Sequence, residues 1–267
     1  MGKPLSWLYG NPSVEKAKAF IKNHRPDELM GMNDGYGGIT VPLHKAIRDR
    51  ASDDVILLLL EACPQAAAAK DDFRRLPLHG AIDGGGTMFS EKIIKALLNA
   101  HPGAASERDP LGRGGNLPLH DAVNKKGWSS LVSECDVRAS ERIILLLLNA
   151  YPQAAAEEMK DGRLLFEIYL KRERRATVDF MREICKVRID GLLLLGVVLN
   201  KRSSDDIVLA VLEADPEAAG KRFSTNCDEC ILPLHIANED EHSEEVKKAL
   251  LDAYPCAEEV ENPFETT

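Results

Sequence analysis

The string Pro-Leu-His-x-Ala, preceded each time by an aliphatic residue, stands four times in this chain: Val41-Pro42-Leu43-His44-Lys45-Ala46-Ile47, Leu76-Pro77-Leu78-His79-Gly80-Ala81-Ile82, Leu117-Pro118-Leu119-His120-Asp121-Ala122-Val123 and Leu232-Pro233-Leu234-His235-Ile236-Ala237-Asn238. A motif that recurs in phase marks internal repetition, in which each unit exposes an apolar face that only its neighbours can cover. A second string recurs behind it: Ala62-Cys63-Pro64-Gln65-Ala66-Ala67, Ala100-His101-Pro102-Gly103-Ala104-Ala105, Ala150-Tyr151-Pro152-Gln153-Ala154-Ala155, Ala214-Asp215-Pro216-Glu217-Ala218-Ala219 and Ala253-Tyr254-Pro255-Cys256-Ala257. Between the two lie segments such as Asp54 to Leu60 and Glu91 to Leu98, whose apolar residues recur with helical period. Each unit is predicted to be a helix, a turn and a second helix.

The residue types fit that reading. Proline suits the first turn of a helix, where its missing N–H is not needed and its φ is already helical. Pro42, Pro77, Pro118 and Pro233 are therefore expected to start inner helices. Pro64, Pro102, Pro152, Pro216 and Pro255 are expected to stop outer ones. Leucine and alanine near each start supply the large and small side chains that let units stack. Two worn copies, Leu164-Leu165-Phe166-Glu167-Ile168-Tyr169-Leu170 and Leu192-Leu193-Leu194-Leu195-Gly196-Val197-Val198, lack both Pro and His. Ser13 to His24, followed by Pro26, reads as an outer helix serving as a terminal cap.

On these residues the chain resembles the ankyrin repeat family, whose signature includes Pro-Leu-His-x-Ala at the head of a helix–turn–helix unit. The resemblance covers nearly the whole chain. It implies an all-α, ankyrin-like helix-turn-helix repeat solenoid with short β-hairpin loops: a capping region over 1–32, six repeats over 33–260 with those at 161–188 and 189–222 degenerate, and a tail over 261–267. It also implies that His44, His79, His120 and His235 hydrogen-bond loop backbone between repeats. The sequence departs from the family where Val41, Leu76, Leu117 and Leu232 replace the threonine whose hydroxyl caps the inner helix. Repeat starts at 41, 76, 117, 164, 192 and 232 are also uneven against a period of about 33 residues.

Composition narrows the function. Apolar residues at 44% can build a core, while a net charge of −9 argues against nucleic acid, whose affinity comes from Lys and Arg. Six cysteines spread over 267 residues read as reduced thiols, and no cleavable leader or membrane-length apolar run stands in the sequence, so a cytoplasmic or nuclear location is expected. Gly2 with Ser6 fits a loose myristoylation pattern, the one route by which a membrane enters. A local positive excess falls between Arg163 and Arg188, centred on Lys171, Arg172, Arg174 and Arg175.

Catalytic motifs are wanting. The histidines recur once per unit, and stacked units lie about 10 Å apart, too far to share one ion. Cys227-Asp228-Glu229-Cys230 is a C-x-x-C without a second pair, leaving a metal or redox module as a weak alternative. The clusters Gly35 to Gly38, Gly84 to Gly86 and Gly112 to Gly115 match no phosphate-loop pattern and read as turns or hairpin tips. No cofactor or metal is expected.

The leading expectation is a monomeric, non-enzymatic adaptor or scaffold that binds a protein. By the resemblance, the partner meets hairpin tips and exposed inner-helix positions: Lys45, Arg48, Phe73, Arg74, Arg75, Asp83, Asn116, Asp121, Asn124 and Lys125. Phe73-Arg74-Arg75 is the preferred anchor, because aromatic and arginine side chains dominate interface energetics. Trp128, in the insertion Lys126 to Glu134, is a second candidate contact.

Overall fold

The structure, a computed structural model, describes residues 5, 12–33, 39–83, 89–110, 115–124, 134–155, 157, 178–186, 194–200, 203–224 and 230–260. The chain is mostly helical, and its strands among the described residues form two short antiparallel pairs. It divides into two compact units, Met1–Ala154 and Ala155–Thr267.

The first unit contains α1 (Val14–Lys22), β1 (Met32–Asn33), β2 (Ile39–Thr40), α2 (Pro42–Arg48), α3 (Asp53–Ala62), α4 (Pro77–Asp83), α5 (Glu91–Ala100), α6 (Pro118–Asn124) and α7 (Glu134–Ala150). Each short helix starts on its motif proline. The short helices form one row, α2 on α4 and α4 on α6, and the longer ones a second, α1 on α3, α3 on α5 and α5 on α7. Rungs between the rows join α2 to α3, α4 to α5 and α6 to α7. The motif residues Leu43, Ala46, Leu78, Ala81, Leu119 and Ala122 are all buried, with Val55, Ile56, Ile93, Ile94, Ile143 and Ile144 facing them from the longer helices. Small alanines beside leucines let the helices approach closely.

The second unit contains α8 (Val178–Lys186), α9 (Leu194–Asn200), α10 (Asp205–Ala214), β3 (Phe223–Ser224), β4 (Cys230–Ile231), α11 (Pro233–Glu239) and α12 (Glu244–Ala253). Here α8 packs on α10 and α10 on α12, α9 packs on α11, and α9–α10 and α11–α12 form the rungs. Helix α9 begins inside the worn copy at 192–198 without a proline, and its Leu195, Val198 and Leu199 are fully buried.

Two features punctuate the longer helices. The prolines that end them also start a 3-10 turn: Pro64–Ala68, Pro102–Ser106, Pro216–Gly220 and Pro255–Glu259. The residue before each adopts nearly one conformation, φ/ψ −145/79° at Cys63, −144/82° at His101, −137/78° at Asp215 and −141/83° at Tyr254. A proline's ring excludes helical backbone from the residue before it, and the next alanines, such as Ala66, Ala67, Ala218 and Ala219, fold in under the helix. At the other end, Ser52, Ser90, Ser204 and Ser243 stand at the N-caps, each followed by an acidic residue. Ser90 donates to the Asp53 carboxylate of the preceding long helix. Asp205 likewise accepts from Ser243 and His242, which hold its carboxyl below the usual range. These serine–acid links tie successive helix starts together.

Candidate binding face of the first unit

The loops before the short helices are fixed by the motif histidines. The N-cap residue of α4 is Leu76, which has no side-chain oxygen, and the helix is capped from the other direction: the Leu76 N–H donates to Nδ1 of His79, the third helical residue, at 3.0 Å. The Leu117 N–H donates to His120 Nδ1 in the same way at 3.4 Å. A side chain at this third position bonding back to the N-cap N–H is one half of a capping box. With Nδ1 accepting, Nε2 carries the proton, and it points at a backbone carbonyl further along the chain: Glu107 at 2.9 Å from His79 and Ala154 at 3.2 Å from His120. His44 reaches the Arg75 carbonyl at 3.1 Å. His79 and His120 thereby tie their own helix starts to backbone about 30 residues further on, whereas His44 makes only the second of these bonds, its Nδ1 having no partner. At α4 and α6 the histidine thus meets the N-cap N–H where Leu76 and Leu117 have no side-chain oxygen to do so. His235 is buried at the same helical position.

Burial pushes the His44 imidazole below its ordinary value of 6.5, although the bond to the Arg75 carbonyl and the nearby Asp71 carboxylate oppose this. Above that value both folded and unfolded chains hold a neutral His44; below it the unfolded chain takes up the proton first, so stability present at pH 7 declines as pH falls past 6.5. Urea midpoints measured from pH 7 to 5 are expected to fall less steeply in His44→Gln than in the wild type.

Between α2 and α4 the loop Asp71 to Arg75 is a tight turn. The Asp71 carboxylate accepts from the N–H groups of Phe73 at 3.0 Å and Arg75 at 2.8 Å, and the Asp71 N–H donates to the Arg75 carbonyl at 3.0 Å. Arg74 takes the left-handed conformation at φ 63°. Held this way, the loop presents Phe73, 58% exposed, while Arg75 turns inward. The Arg75 guanidinium lies 2.7 Å from Asp109, 3.1 Å from Asp83 and 3.3 Å from the His79 carbonyl. Beside them the Asn116 amide donates to Asp121 at 2.9 Å. His44, Ile47, Arg48, Asp71, Phe73 and Gly80 are among the residues lining a groove of about 470 Å³ here.

The predicted contact residues therefore separate. Arg48, Phe73 and Asp83 gather at the groove, with Arg74 beside them in the 71–75 loop. Lys45 is buried against Asp49 at 2.7 Å, and Asn116 is buried too, so neither is the exposed inner-helix position expected of it. Both lie where short helices pack, and their polar groups are consumed by partners inside the unit. Arg75 is likewise an internal cross-link and not a free anchor. Asp121 is half-buried, and burial raises its carboxyl above the ordinary value of 3.8 although the Asn116 bond opposes this. A raised carboxyl contributes stability only in acid and loses it as pH rises, so Asp121→Asn is expected to shift the urea midpoint upward at pH 7.

The side chain of Asn124 and the whole of Lys125, Trp128, Gly2, Cys227, the Lys171 to Arg175 run, the worn copy at 164–170 and the 261–267 tail lie outside the described residues. Among the described residues, no group of three or more His, Cys, Asp or Glu side chains is placed to hold a metal ion. No helix among them is long and apolar enough to cross a membrane. Sequence reasoning missed Arg50, which lines the groove and lies 4.8 Å above the Phe89 ring, and the exposed Ile39. Arg50 follows the end of α2 in left-handed conformation at φ 58°, closing the helix with Arg50 N–H to Ile47 and Ala51 N–H to Ala46 bonds. No residue type announces that turn, since glycine usually occupies it. No protein-family model matches the chain, and no curated protein matches it.

Proposed function

We propose that this chain is a divergent ankyrin-like repeat solenoid acting as a non-enzymatic adaptor or scaffold, which binds a protein partner through loop tips and the face of its short helices. The observation that supports the reading most is the groove between α2 and α4: Phe73 stands exposed on a loop held by hydrogen bonds within its own turn, with Arg48 and Asp83 at the same opening. A preformed loop loses little entropy on binding, so an exposed aromatic there contributes most of its burial energy to affinity. The solenoid reading draws on the short-on-short and long-on-long helix packing within each unit and on the repeated backbone geometry before Pro64, Pro102, Pro216 and Pro255. The module works as a monomer without cofactor, in the cytoplasm.

Cross-linking mass spectrometry on the tagged full chain in its native cells tests this. A protein partner cross-linked around the 71–75 loop or the short-helix face is the expected result. Failure to recover any stoichiometric protein partner over a range of conditions, or recovery of one cross-linked only to the long-helix row, overturns it.

A further inference from the structure

Three observations on the first unit converge on the chemistry of its occupant. The large hydrophobic residues exposed among the described residues are Met30, at the end of the 3-10 turn Pro26–Met30, Ile39 in β2 and Phe73 in the 71–75 loop, all on segments that precede α2 or α4 in the chain. Phe73 lines the groove together with Arg48 on α2, whose guanidinium meets the hydroxyl of Thr40, the residue after Ile39, at 3.4 Å. Secondly, the groove's carboxylates are already engaged. Asp71 accepts two backbone N–H groups of its own turn, and Asp83 pairs with Arg75. Among the described residues neither Arg48 nor Arg74 forms an ion pair with them. Thirdly, Arg50 and Arg74 occupy left-handed backbone at φ 58° and 63°, where glycine fits without strain. Arg50 thereby adds a second arginine to the groove lining beside Arg48, and Arg74 stands exposed in the adjoining 71–75 loop, in a chain whose net charge is −9.

We propose that this groove takes an acidic peptide segment bearing aliphatic or aromatic side chains, with Arg48 and Arg74 meeting its carboxylates and Phe73 and Ile39 covering its apolar groups. Guanidinium forks match carboxylates in pairs of hydrogen bonds, and an apolar rim excludes water from them, which strengthens each bond. The inference rests on the protein-binding reading and adds the partner's chemistry to it.

The test pans random phage-displayed peptides against the full chain and then measures a selected synthetic peptide by fluorescence anisotropy. Net-acidic sequences containing aromatic or aliphatic residues are expected, with affinity falling as salt rises. Binding should weaken roughly tenfold or more in R48E/R74E and in Phe73→Ala, and on replacing the peptide's Glu with Gln. Lys95→Glu, on the exposed side of α5, should leave it unchanged. All four side chains altered in the protein are exposed, and thermal melts of the variants confirm that each is folded. Selected peptides without acidic bias, binding indifferent to R48E/R74E, no selected peptide at all, or equal affinity for a single-stranded oligonucleotide of the same charge overturns the inference. A partner cross-linked elsewhere on the short-helix face, together with any of those results, leaves the protein-binding reading standing while this one falls.

Discussion

His79→Ala is expected to destabilise the first unit by about 2–4 kcal/mol, because it orphans a buried backbone N–H and a part-buried carbonyl at once, each worth about 1–3 kcal/mol when closed to water. The Leu76 N–H loses Nδ1 and the Glu107 carbonyl loses Nε2, the first at the start of α4 and the second in the loop before α6. The Leu76 side is closed to water, since His79 is buried together with Leu76 and Leu78, while the Glu107 side is part-buried. Two graded variants separate the bonds. An Asn amide oxygen can stand near Nδ1 and still accept from Leu76, whereas a Gln amide can reach toward Glu107 and still donate. His79→Asn and His79→Gln should each retain about half of what Ala loses, read as urea midpoints of the full chain with an unchanged slope. If both are as damaging as Ala, the imidazole is packing material and the clamp reading fails. His120→Ala should behave similarly through Leu117 and Ala154.

Arg75→Met is the second large effect, expected at about 2–4 kcal/mol. Removing one member of a buried ion pair typically costs about 3–5 kcal/mol, because the remaining charge has been taken out of water. Asp109 is 1% exposed and Arg75 17%, so the arginine's contact with solvent places the cost toward the lower part of that range. Asp83, 62% exposed, contributes little, since water and salt screen it. The double variant R75M/D109N removes both charges and should recover much of the loss. Recovery fixes the pair as the source; a double variant as unstable as R75M assigns the cost to the lost methylene packing and the His79 carbonyl bond. The consequence for function is concrete: loss of partner binding in an Arg75 variant reports unfolding of the face, whereas loss in a Phe73 variant reports contact.

The repeat was legible because its residues act locally. Pro42, Pro77, Pro118 and Pro233 each start a helix through a property of their own ring, and Pro64, Pro102, Pro216 and Pro255 fix the residue before them whatever surrounds it. The serine–acid pairs at 52–53, 90–91, 204–205 and 243–244 were equally regular in the sequence and were overlooked, their signal lying in short polar residues between apolar runs. What the sequence could not separate was one exposed polar side chain from another. Arg74 and Arg75 are adjacent and chemically alike, yet the left-handed backbone at Arg74 itself sends Arg75 under the loop and leaves Arg74 outside. Lys45 and Arg48 lie on one helix three residues apart, and only the packing of α2 on α4 decides that the first is buried against Asp49 while the second opens on the groove.

Local stereochemistry, then, was written into the chain itself: where helices start and stop, which leucines and alanines face inward, and that a histidine stands at the third position of each sharp inner helix. Only the tertiary structure decided what each imidazole reaches, which carboxylates are spent on internal partners and which arginines remain outward. Those outcomes depend on groups about 30 residues apart in sequence, such as His44 with Arg75 and Arg75 with Asp109, brought together by stacking. Charge and hydrogen-bond partners are properties of that arrangement, and no single residue carries them.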